Sequence, residues 1–236
     1  MSTSWCAHLP RDVGVIVVAA GRGARFGGDV PKQFALLSGV PILLHALRPF
    51  TSHPEVGQVV LVLPPPDVAS PPAWLVPLLG HALIAVPGGE QRADSVAAGL
   101  AALQAACTVV LVHDGARPFP PRDTIDAGIA AARSGRSAIP ALPVGDTIKR
   151  ADDYGRVLGT VPREGLWRVQ TPQAFPRETL TRAHETARRD GVSGTDDACL
   201  VERLGEVVEL LPGAARNLKI TTPDDVALAT WYAEHP

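Results

Sequence analysis

The chain has 236 residues, of which 46% are hydrophobic and 19% charged, and its formal net charge is −2 at pH 7. This composition is typical of a soluble globular protein with a substantial core, and the small net charge gives no electrostatic reason to expect a nucleic-acid or membrane partner. The three cysteines are odd in number and lack C-x-x-C spacing, which argues against a disulfide framework. No signal-peptide pattern occurs at the N-terminus and no apolar stretch approaches the roughly 18 residues of a membrane span. We therefore expect a cytoplasmic protein.

Short β-branched runs alternate along the chain with Ala- and Leu-rich stretches of helical periodicity. Strands are predicted at 13–20, 58–63, 82–86, 108–114, 137–144, 207–211 and 218–221, and helices at 41–50, 92–106, 122–134 and 176–189. A last helix is predicted from Thr222 as N-cap with Pro223 in first position. The first four strands are nearly continuous apolar runs, as expected for strands covered on both faces. The βαβα order predicts an α/β fold with a doubly wound, mostly parallel twisted sheet and helices on both faces.

One segment, residues 146–162, departs from this alternation. It contains two short strand-like pieces around the turn signal Asp153–Tyr154–Gly155, which predicts a β-hairpin. No helix is predicted for it to pack on, so we expect a protruding arm that finds its partner in another subunit. A hairpin folded back on its own domain is the alternative that the sequence leaves open.

The first strand ends in a glycine-rich stretch that also carries Arg25 and Lys32. A dinucleotide fingerprint fails here because Phe26 stands where the third glycine is needed. A P-loop fails because Asp29 replaces its lysine. The remaining interpretation is a glycine turn whose backbone N–H groups, with mobile cations beside them, contact a phosphate.

Two further strand ends carry groups suited to phosphate and metal binding. After the third strand, "PGGEQRADSV" (87–96) leads from two glycines into a helix, and after the fourth, "HDGARPF" (113–119) contains Asp114 and Arg117. Ligands of open α/β sheets bind at the carboxyl ends of strands. Asp114 could hold Mg²⁺, which favours one or two carboxylates plus substrate phosphates, and Arg117 could meet a phosphate as a planar fork. Alternatively, Asp114 caps the next element and Arg117 pairs with it.

Together these strand ends predict a nucleoside triphosphate site. No Ser-His-Asp set or H-E-x-x-H pattern is evident in the sequence. None is needed if the attacking group is a phosphate, because its second pKa of about 6 leaves it largely ionised at pH 7. The protein then only has to align two phosphates and neutralise the charge between them. Nucleotidyl transfer to a phosphomonoester fits this inventory best.

Eight segments, in order and spacing, resemble the 2-C-methyl-D-erythritol 4-phosphate cytidylyltransferases. They are "AAGRGARFGGDVPKQF", "GGEQRADSV", "VHDGARPF", "DTIKR", "VPREGLW", "QTPQAF", "GTDDA" and "NLKIT", and the resemblance runs from about Val13 to the last helix. It implies a Rossmann-like nucleotidyltransferase fold in a single domain, 1–236, and a homodimer formed through a hairpin arm at about 144–165. It also implies transfer of the cytidylyl group of CTP to methylerythritol phosphate, with Mg²⁺ or another divalent cation, in non-mevalonate isoprenoid synthesis.

The resemblance also implies roles for individual residues. Arg25 and Lys32 would stabilise charge on the α-phosphate and the leaving pyrophosphate, Arg163 and Lys219 would position methylerythritol phosphate, and Asp114 would bind the metal. The positions matched around CTP are Ala19, Ala20, Gly21, Gly89, Glu90 and Ser95, and those beside the acceptor are Arg117, Thr147, Thr171 and Thr195.

Several of these roles have plainer alternatives. Thr195 could be only a helix N-cap, and Lys219 only a solvated lysine of an edge strand. His113, next to the metal-binding acid, is expected to be structural. By the resemblance, Thr147 and Arg163 lie in or near the arm, so the active site would be completed across the dimer.

Two other functions remain open. A cytidylyltransferase for another polyol phosphate, such as ribitol 5-phosphate, would share much of the same motif set. A catalytically inactive nucleotide-binding module would be expected to lack Arg25, Lys32 or Asp114, and all three are present.

Overall fold

The structure, a computed structural model, describes residues 10–21 and 31–235, so Arg25 and its glycine-rich neighbours lie outside the described residues. The strands are β1 (Val13–Val18), β2 (Leu36–Leu37), β3 (Val40–Pro41), β4 (Val56–Leu63), β5 (Leu83–Pro87), β6 (Val109–Asp114), β7 (Ser137–Pro143), β8 (Ile148–Ala151), β9 (Val157–Val161), β10 (Trp167–Val169), β11 (Gln173–Pro176) and β12 (Val208–Pro212). The α-helices are α1 (Ile42–Thr51), α2 (Pro65–Ala69), α3 (Arg92–Ala102), α4 (Arg122–Arg133), α5 (Arg177–Arg189), α6 (Asp197–Arg203) and α7 (Pro223–Glu234).

The main sheet has eight strands and is mostly parallel, as predicted. Strands β6, β1, β4 and β5 lie side by side in parallel, and β12 runs parallel to β7. Strands β10 and β11 run antiparallel to β7, and β11 also pairs antiparallel with β6. The β1, β4 and β6 strands are buried over almost their whole length because both faces of the sheet are covered.

Successive residues of β1 point to opposite faces and enter two separate cores. Val15 and Val17 pack in the cluster that contains α1 and α4, whereas Ile16 packs in the cluster that contains α3, α5 and α6. This alternation is the two-residue period of a strand. It confirms the predicted α/β fold with helices on both faces of the sheet.

The predicted strand at 218–221 is wrong. Among the described residues, the Ile220 N–H donates to the carbonyl oxygen of Ala116 at 2.9 Å, and residues 218–221 form no strand. The segment instead passes across the turn after β6 and leads into α7. The prediction failed because an alternating apolar pattern indicates burial and not strand pairing itself. Ile220 is buried although its segment is not paired as a strand.

Helix α3 is held at both ends. At its N-terminus, Gln91 and Asp94 form a capping box. Beyond its C-terminus, the Arg177 guanidinium donates to the carbonyl oxygens of Leu103 at 3.0 Å and Cys107 at 3.2 Å. The helix ends at Ala102 rather than at the predicted residue 106, because Leu103 is already extended.

The predicted β-hairpin is confirmed. Strands β8 and β9 pair antiparallel with each other, and among the described residues they pair with no other strand. Tyr154 at the turn is 85% exposed, and Val157 and Leu158 on β9 are more than half exposed. The hairpin therefore stands out from the domain rather than packing on its core.

The last helix begins as the sequence predicts. Thr222 is the N-cap, Pro223 occupies the first turn, and Asp225 completes a capping box with Thr222. Over the described ranges, none of the helices combines the length and apolar character that crossing a bilayer requires.

Candidate nucleotide and acceptor site

A cavity of about 230 Å³ opens at the carboxyl ends of β1, β5 and β6. Its walls include many residues that the sequence singled out: Ala19, Ala20, Gly21, Lys32, Gly89, Glu90, Ser95, Asp114 and Lys219. A larger cavity of about 610 Å³ lies between α3 and α5, and none of the candidate site residues that the structure describes lines it. The smaller cavity is the candidate site, because it unites the ends of three strands with the first turn of α3.

The glycines after β5 are required by close packing. A Cβ atom on Gly88 would lie 2.5 Å from Cβ of Ala20 and 2.7 Å from Oγ of Ser95, so a larger residue does not fit without movement. The Gly89 N–H donates to Oγ of Ser95 at 3.2 Å, and that hydroxyl lies 3.2 Å from the Gln91 carbonyl oxygen, to which it donates. Ser95 thus shapes the loop that forms one wall of the cavity.

Asp114 ends β6 among three cations. Its Oδ2 lies 2.9 Å from Nζ of Lys219 and 3.5 Å from Nε of Arg117, and its Oδ1 lies 3.6 Å from Nε of Arg92. Burial alone would raise the pKa of Asp114, but Lys219, Arg92 and Arg117 outweigh it and hold that pKa well below its usual range. The carboxylate is therefore ionised throughout the neutral range.

Lys219 and Lys32 reach the cavity from different elements. The Ile220 N–H bond to the carbonyl oxygen of Ala116 places Lys219 against the turn after β6. The Lys219 side chain is 41% exposed, so its ammonium faces both Asp114 and the cavity. Lys32 begins a single 3₁₀ turn, Lys32–Phe34, on the β1 side. The alternative interpretation of Lys219 as an edge-strand lysine is wrong, because its segment forms no strand.

Arg117 lies behind the cavity and does not line it. It is buried, and its Nη1 donates to the main-chain carbonyl oxygen of Asn217 at 2.8 Å. Burial lowers the pKa of Arg117 and Asp114 opposes that effect. The pairing of Arg117 with Asp114, which the sequence left as an alternative, is therefore present.

Thr171 also lies behind the cavity, in a buried chain of hydrogen bonds. Its Oγ1 accepts from the Asp114 N–H at 3.0 Å and lies 3.0 Å from Nδ1 of His113. Nε2 of His113 lies 2.9 Å from the carbonyl oxygen of Arg117. Burial lowers the pKa of His113 to about 4, so the ring is neutral at pH 7.

Arg92 is a cavity residue to which the sequence analysis gave no role. Its Nη1 lies 2.7 Å from Oδ2 of Asp197, a buried acid on α6, while its Nε faces Asp114. The other oxygen of Asp197 lies 3.0 Å from Nε2 of His184 on α5. The available sequence signal was an arginine at the first position of a helix that follows two glycines. Its partner on α6 lies 105 residues away.

Besides Arg117 and Thr171, three of the described candidate residues do not line this cavity. Thr147 and Arg163 lie on or beside the hairpin, are exposed, and do not line the cavity. The Arg163 guanidinium donates to the Gly145 carbonyl oxygen and so links the two ends of the arm. Thr195 is exposed and does not cap α6; the N-cap is Asp196, whose carboxylate accepts from the backbone at 3.0 Å.

The residues present fit a divalent cation held jointly with a phosphate ligand. Asp114 supplies a carboxylate at the cavity wall, and its Oδ1 accepts no hydrogen bond from Arg92 at 3.6 Å. Mg²⁺ typically takes one or two carboxylates and completes its shell with phosphates and water. Within the described part of the chain, another group, His53, Glu55 and Asp126, brings its ligating atoms within 4.8 Å. It lies where β4 begins, at the end of the sheet opposite the cavity.

Comparisons with known proteins agree with this geometry. Residues 13–235 match the family described as 2-C-methyl-D-erythritol 4-phosphate cytidylyltransferase. The chain is 44% identical over 219 residues to the enzyme of that name from Pelotomaculum thermopropionicum, covering 92% of each. It is 46% identical over 220 residues to a bifunctional enzyme, IspD/IspF, from Desulforudis audaxviator, but spans only 56% of that relative's length.

Solved structures give the same result. The 2-C-methyl-D-erythritol 4-phosphate cytidylyltransferase of Thermus thermophilus superposes with a TM-score of 0.80 at 38% identity, covering 94% of this chain and 99% of that one. A match of this extent to a family and to its solved members covers the cavity, the hairpin and both cores. The chain belongs to the 2-C-methyl-D-erythritol 4-phosphate cytidylyltransferase family.

Proposed function

We propose that this protein transfers the cytidylyl group of CTP to 2-C-methyl-D-erythritol 4-phosphate, giving 4-diphosphocytidyl-2-C-methyl-D-erythritol and pyrophosphate. The observation that carries the proposal is the cavity that Lys32, Lys219 and Asp114 share with Gly21 after β1 and Gly89 after β5, in a chain of this family. In the reaction an acceptor phosphate oxygen attacks the α-phosphorus of CTP. The bond from that phosphorus to the bridging oxygen of the β-phosphate breaks, and pyrophosphate leaves.

The nucleotide would lie between the two glycine loops. The cavity is lined after β1 by Ala19, Ala20 and Gly21, and after β5 by Gly89 and Glu90. Main-chain groups of these residues can hydrogen-bond to the cytosine and ribose. Ser95 and the first turn of α3 lie beside the triphosphate in this arrangement, where helix N–H groups favour negative charge.

The chemistry requires positive charge rather than a general base. The acceptor phosphate is already ionised, so the task of Lys32 and, by the family resemblance, Arg25 is to stabilise negative charge on the α-phosphate and on pyrophosphate. Lys219 would hold the acceptor phosphate, with Arg117 and Thr171 supporting that side from behind the cavity. A divalent cation bound at Asp114 would neutralise part of the triphosphate charge. A cytoplasmic location belongs to the same proposal, because the three cysteines lack the pattern of a disulfide framework.

The hairpin arm gives the proposal its quaternary part. Thr147 and Arg163 are exposed and outside the cavity of their own chain, whereas the resemblance assigns them to the acceptor. We propose that two copies of the chain exchange arms at 144–165, so that each arm brings Arg163 to the partner's acceptor phosphate. The exposed apolar side chains of Val157 and Leu158 would then be covered by the partner.

Mixing two inactive variants tests this exchange. Arg163→Ala disables the arm and Lys219→Ala disables the cavity, so a mixed dimer contains one site with both residues intact. Partial recovery of activity on mixing supports arm exchange. No recovery, under conditions where subunits are shown to exchange, would place Arg163 in the site of its own chain.

The reaction is tested by pyrophosphate release from CTP and Mg²⁺, with methylerythritol 4-phosphate and ribitol 5-phosphate offered in parallel. Release with the first acceptor, lost in Lys32→Ala, supports the proposal. Release only with ribitol 5-phosphate would keep the nucleotide chemistry and replace the acceptor. If folded protein that binds CTP releases no pyrophosphate with either acceptor, the result would favour a catalytically inactive nucleotide-binding module.

A further inference from the structure

His113 is a buried histidine directly before Asp114 with both ring nitrogens in hydrogen-bond contact. Nδ1 lies 3.0 Å from Oγ1 of Thr171, and Nε2 lies 2.9 Å from the carbonyl oxygen of Arg117. The His113 ring also packs against the Phe50 ring in an edge contact, with the two ring centroids 4.9 Å apart. The ring does not line the cavity, so it cannot touch a substrate there.

The partners fix which nitrogen carries the proton. The Arg117 carbonyl oxygen can only accept, so Nε2 must donate. The Thr171 hydroxyl already accepts from the Asp114 N–H at 3.0 Å. A fully buried ring disfavours a charge, so Nδ1 carries no proton and accepts from that hydroxyl. The result is one directed chain, Asp114 N–H to Thr171 O–H to His113, and His113 N–H to Arg117.

This chain joins the two ends of the turn 114–117. A main-chain bond of 2.9 Å from the Arg117 N–H to the Asp114 carbonyl oxygen closes the turn from inside. Within it, the Ala116 carbonyl oxygen accepts from Ile220 and so fixes the segment that carries Lys219. The position of the Asp114 carboxylate relative to the Lys219 ammonium, 2.9 Å away, therefore depends on the geometry of this turn.

We infer that His113 is a positioning residue, which acts through Thr171 and the Arg117 carbonyl to hold Asp114 and Lys219 in their working geometry. The inference rests on the proposed cytidylyl transfer and deepens it. It gives Thr171 the task of a link in the chain, in place of direct contact with the acceptor. A histidine with a purely packing role would need its volume but not its two hydrogen bonds.

Conservative replacements separate these two roles. Thr171→Val keeps the shape of the side chain and removes the hydroxyl, whereas Thr171→Ser keeps the hydroxyl. His113→Asn keeps an acceptor near the Nδ1 position, His113→Gln keeps a donor near the Nε2 position, and His113→Leu keeps neither. His53→Asn is the matched control, because His53 is a second buried histidine with a 2.8 Å contact, to Asp126, at the opposite end of the sheet.

We expect Thr171→Val and His113→Leu to lower kcat by about 10- to 100-fold, since a displacement of about 1 Å costs on the order of 100-fold. The CTP dissociation constant, measured by calorimetry, should change little, because the glycine loops are untouched. Thr171→Ser should recover most of the activity. The kcat values of His113→Asn and His113→Gln should each lie between that of His113→Leu and that of the wild type. The double variant, Thr171→Val with His113→Leu, should have a kcat no lower than that of the slower single variant, because either change breaks the same chain of hydrogen bonds.

Nitrogen-15 NMR of the histidine rings in the wild-type protein tests the chain without any turnover. We expect His113 to carry its proton on Nε2 at neutral pH. A proton on Nδ1, or losses in kcat that multiply in the double variant, would overturn the inference. So would a kcat for Thr171→Val equal to that of Thr171→Ser. If His113→Leu does not fold, the Thr171 pair and the NMR spectrum still decide.

The proposed function fails separately from this inference. Wild-type protein that releases no pyrophosphate with any acceptor would refute the function, and the protonation of His113 would still be measured. Active wild-type protein with unaffected Thr171 and His113 variants would refute only the positioning role. If His53→Asn lowered kcat as much as His113→Asn, the loss would be a general effect of removing a buried histidine. That result would also overturn the positioning role of His113.

Discussion

Asp225, in the first turn of α7, should contribute stability that depends on its charge. One of its oxygens accepts four hydrogen bonds: from the backbone N–H and the hydroxyl of Thr221, each at 2.8 Å, and from those of Thr222 at 2.8 and 3.0 Å. Burial alone would raise its pKa, but these donors lower it from 3.8 to about 2. Asp225→Ala therefore removes four acceptor contacts and a charge at the helix N-terminus.

The size of the effect follows from that pKa. Each unit of pKa corresponds to about 1.4 kcal/mol, so lowering it from 3.8 to about 2 represents at most about 2.5 kcal/mol. The carboxylate is partly exposed and solvent screens it, which reduces the expected contribution to about 1–2 kcal/mol. Mutations of capping residues typically cost about 0.5–2 kcal/mol. We expect Asp225→Ala to lower the free energy of unfolding by about 1–2 kcal/mol.

Urea unfolding at several pH values measures this contribution. Because the pKa of the folded state is the lower one, the stabilisation is fully present above about pH 4 and is lost as the pH falls towards about 2. The difference between the wild type and Asp225→Ala should therefore be largest at neutral pH and shrink through this window. Asp224→Ala is the matched control, since Asp224 lies in the same turn and is exposed. A difference below about 0.5 kcal/mol at pH 7, or one that persists at pH 2, would refute the reasoning.

Three further changes have defined outcomes. Gly88→Ala should destabilise the protein by about 1–3 kcal/mol and weaken CTP binding, because the new methyl group would meet Ala20 and Ser95; unchanged calorimetric CTP affinity would contradict this. Lys219→Ala should lower kcat by about 100- to 1,000-fold, with the fold intact by circular dichroism; a kcat near that of the wild type would remove Lys219 from the acceptor site. Chelation of divalent cations with EDTA should abolish pyrophosphate release while leaving the unfolding temperature of the free protein unchanged, and activity that survives chelation would show that Asp114 binds no essential metal.

The parts of the fold that follow from local patterns were predictable. Apolar runs located β1, β4, β5, β6, β7 and β12 to within two residues of their observed bounds. Strand β11 was missed because Pro172 and Pro176 interrupt the pattern, and β10 because its three residues are too few to show an alternation. Helix α6 was missed because its seven residues are too few to show a helical period. The prediction of a strand around Lys219 was wrong because a buried segment and a paired strand can have the same apolar sequence pattern.

The candidate site was predictable where it follows strand ends and not where it depends on distant contacts. The residues directly after β1, β5 and β6 line one cavity because the carboxyl ends of parallel strands share one edge of the sheet. The pairing of Arg92 with Asp197 and the bonds of Thr171 with His113 join residues far apart in sequence, which no local pattern records. Asp196 rather than Thr195 caps α6, since adjacent residues of similar capping propensity cannot be ranked without the backbone geometry.

The contacts at the two ends of α3 have a consequence for how the cavity receives a ligand. The first residue of the helix, Arg92, is ion-paired to α6, and the turn beyond its last residue is gripped by Arg177 of α5. A slide of α3 along its axis would break both attachments at once. The wall formed by Arg92 and Ser95 is therefore attached to α5 and α6 by contacts that do not involve a nucleotide. Such preorganisation reduces the entropy lost on binding, so this side of the cavity contributes affinity without rearrangement.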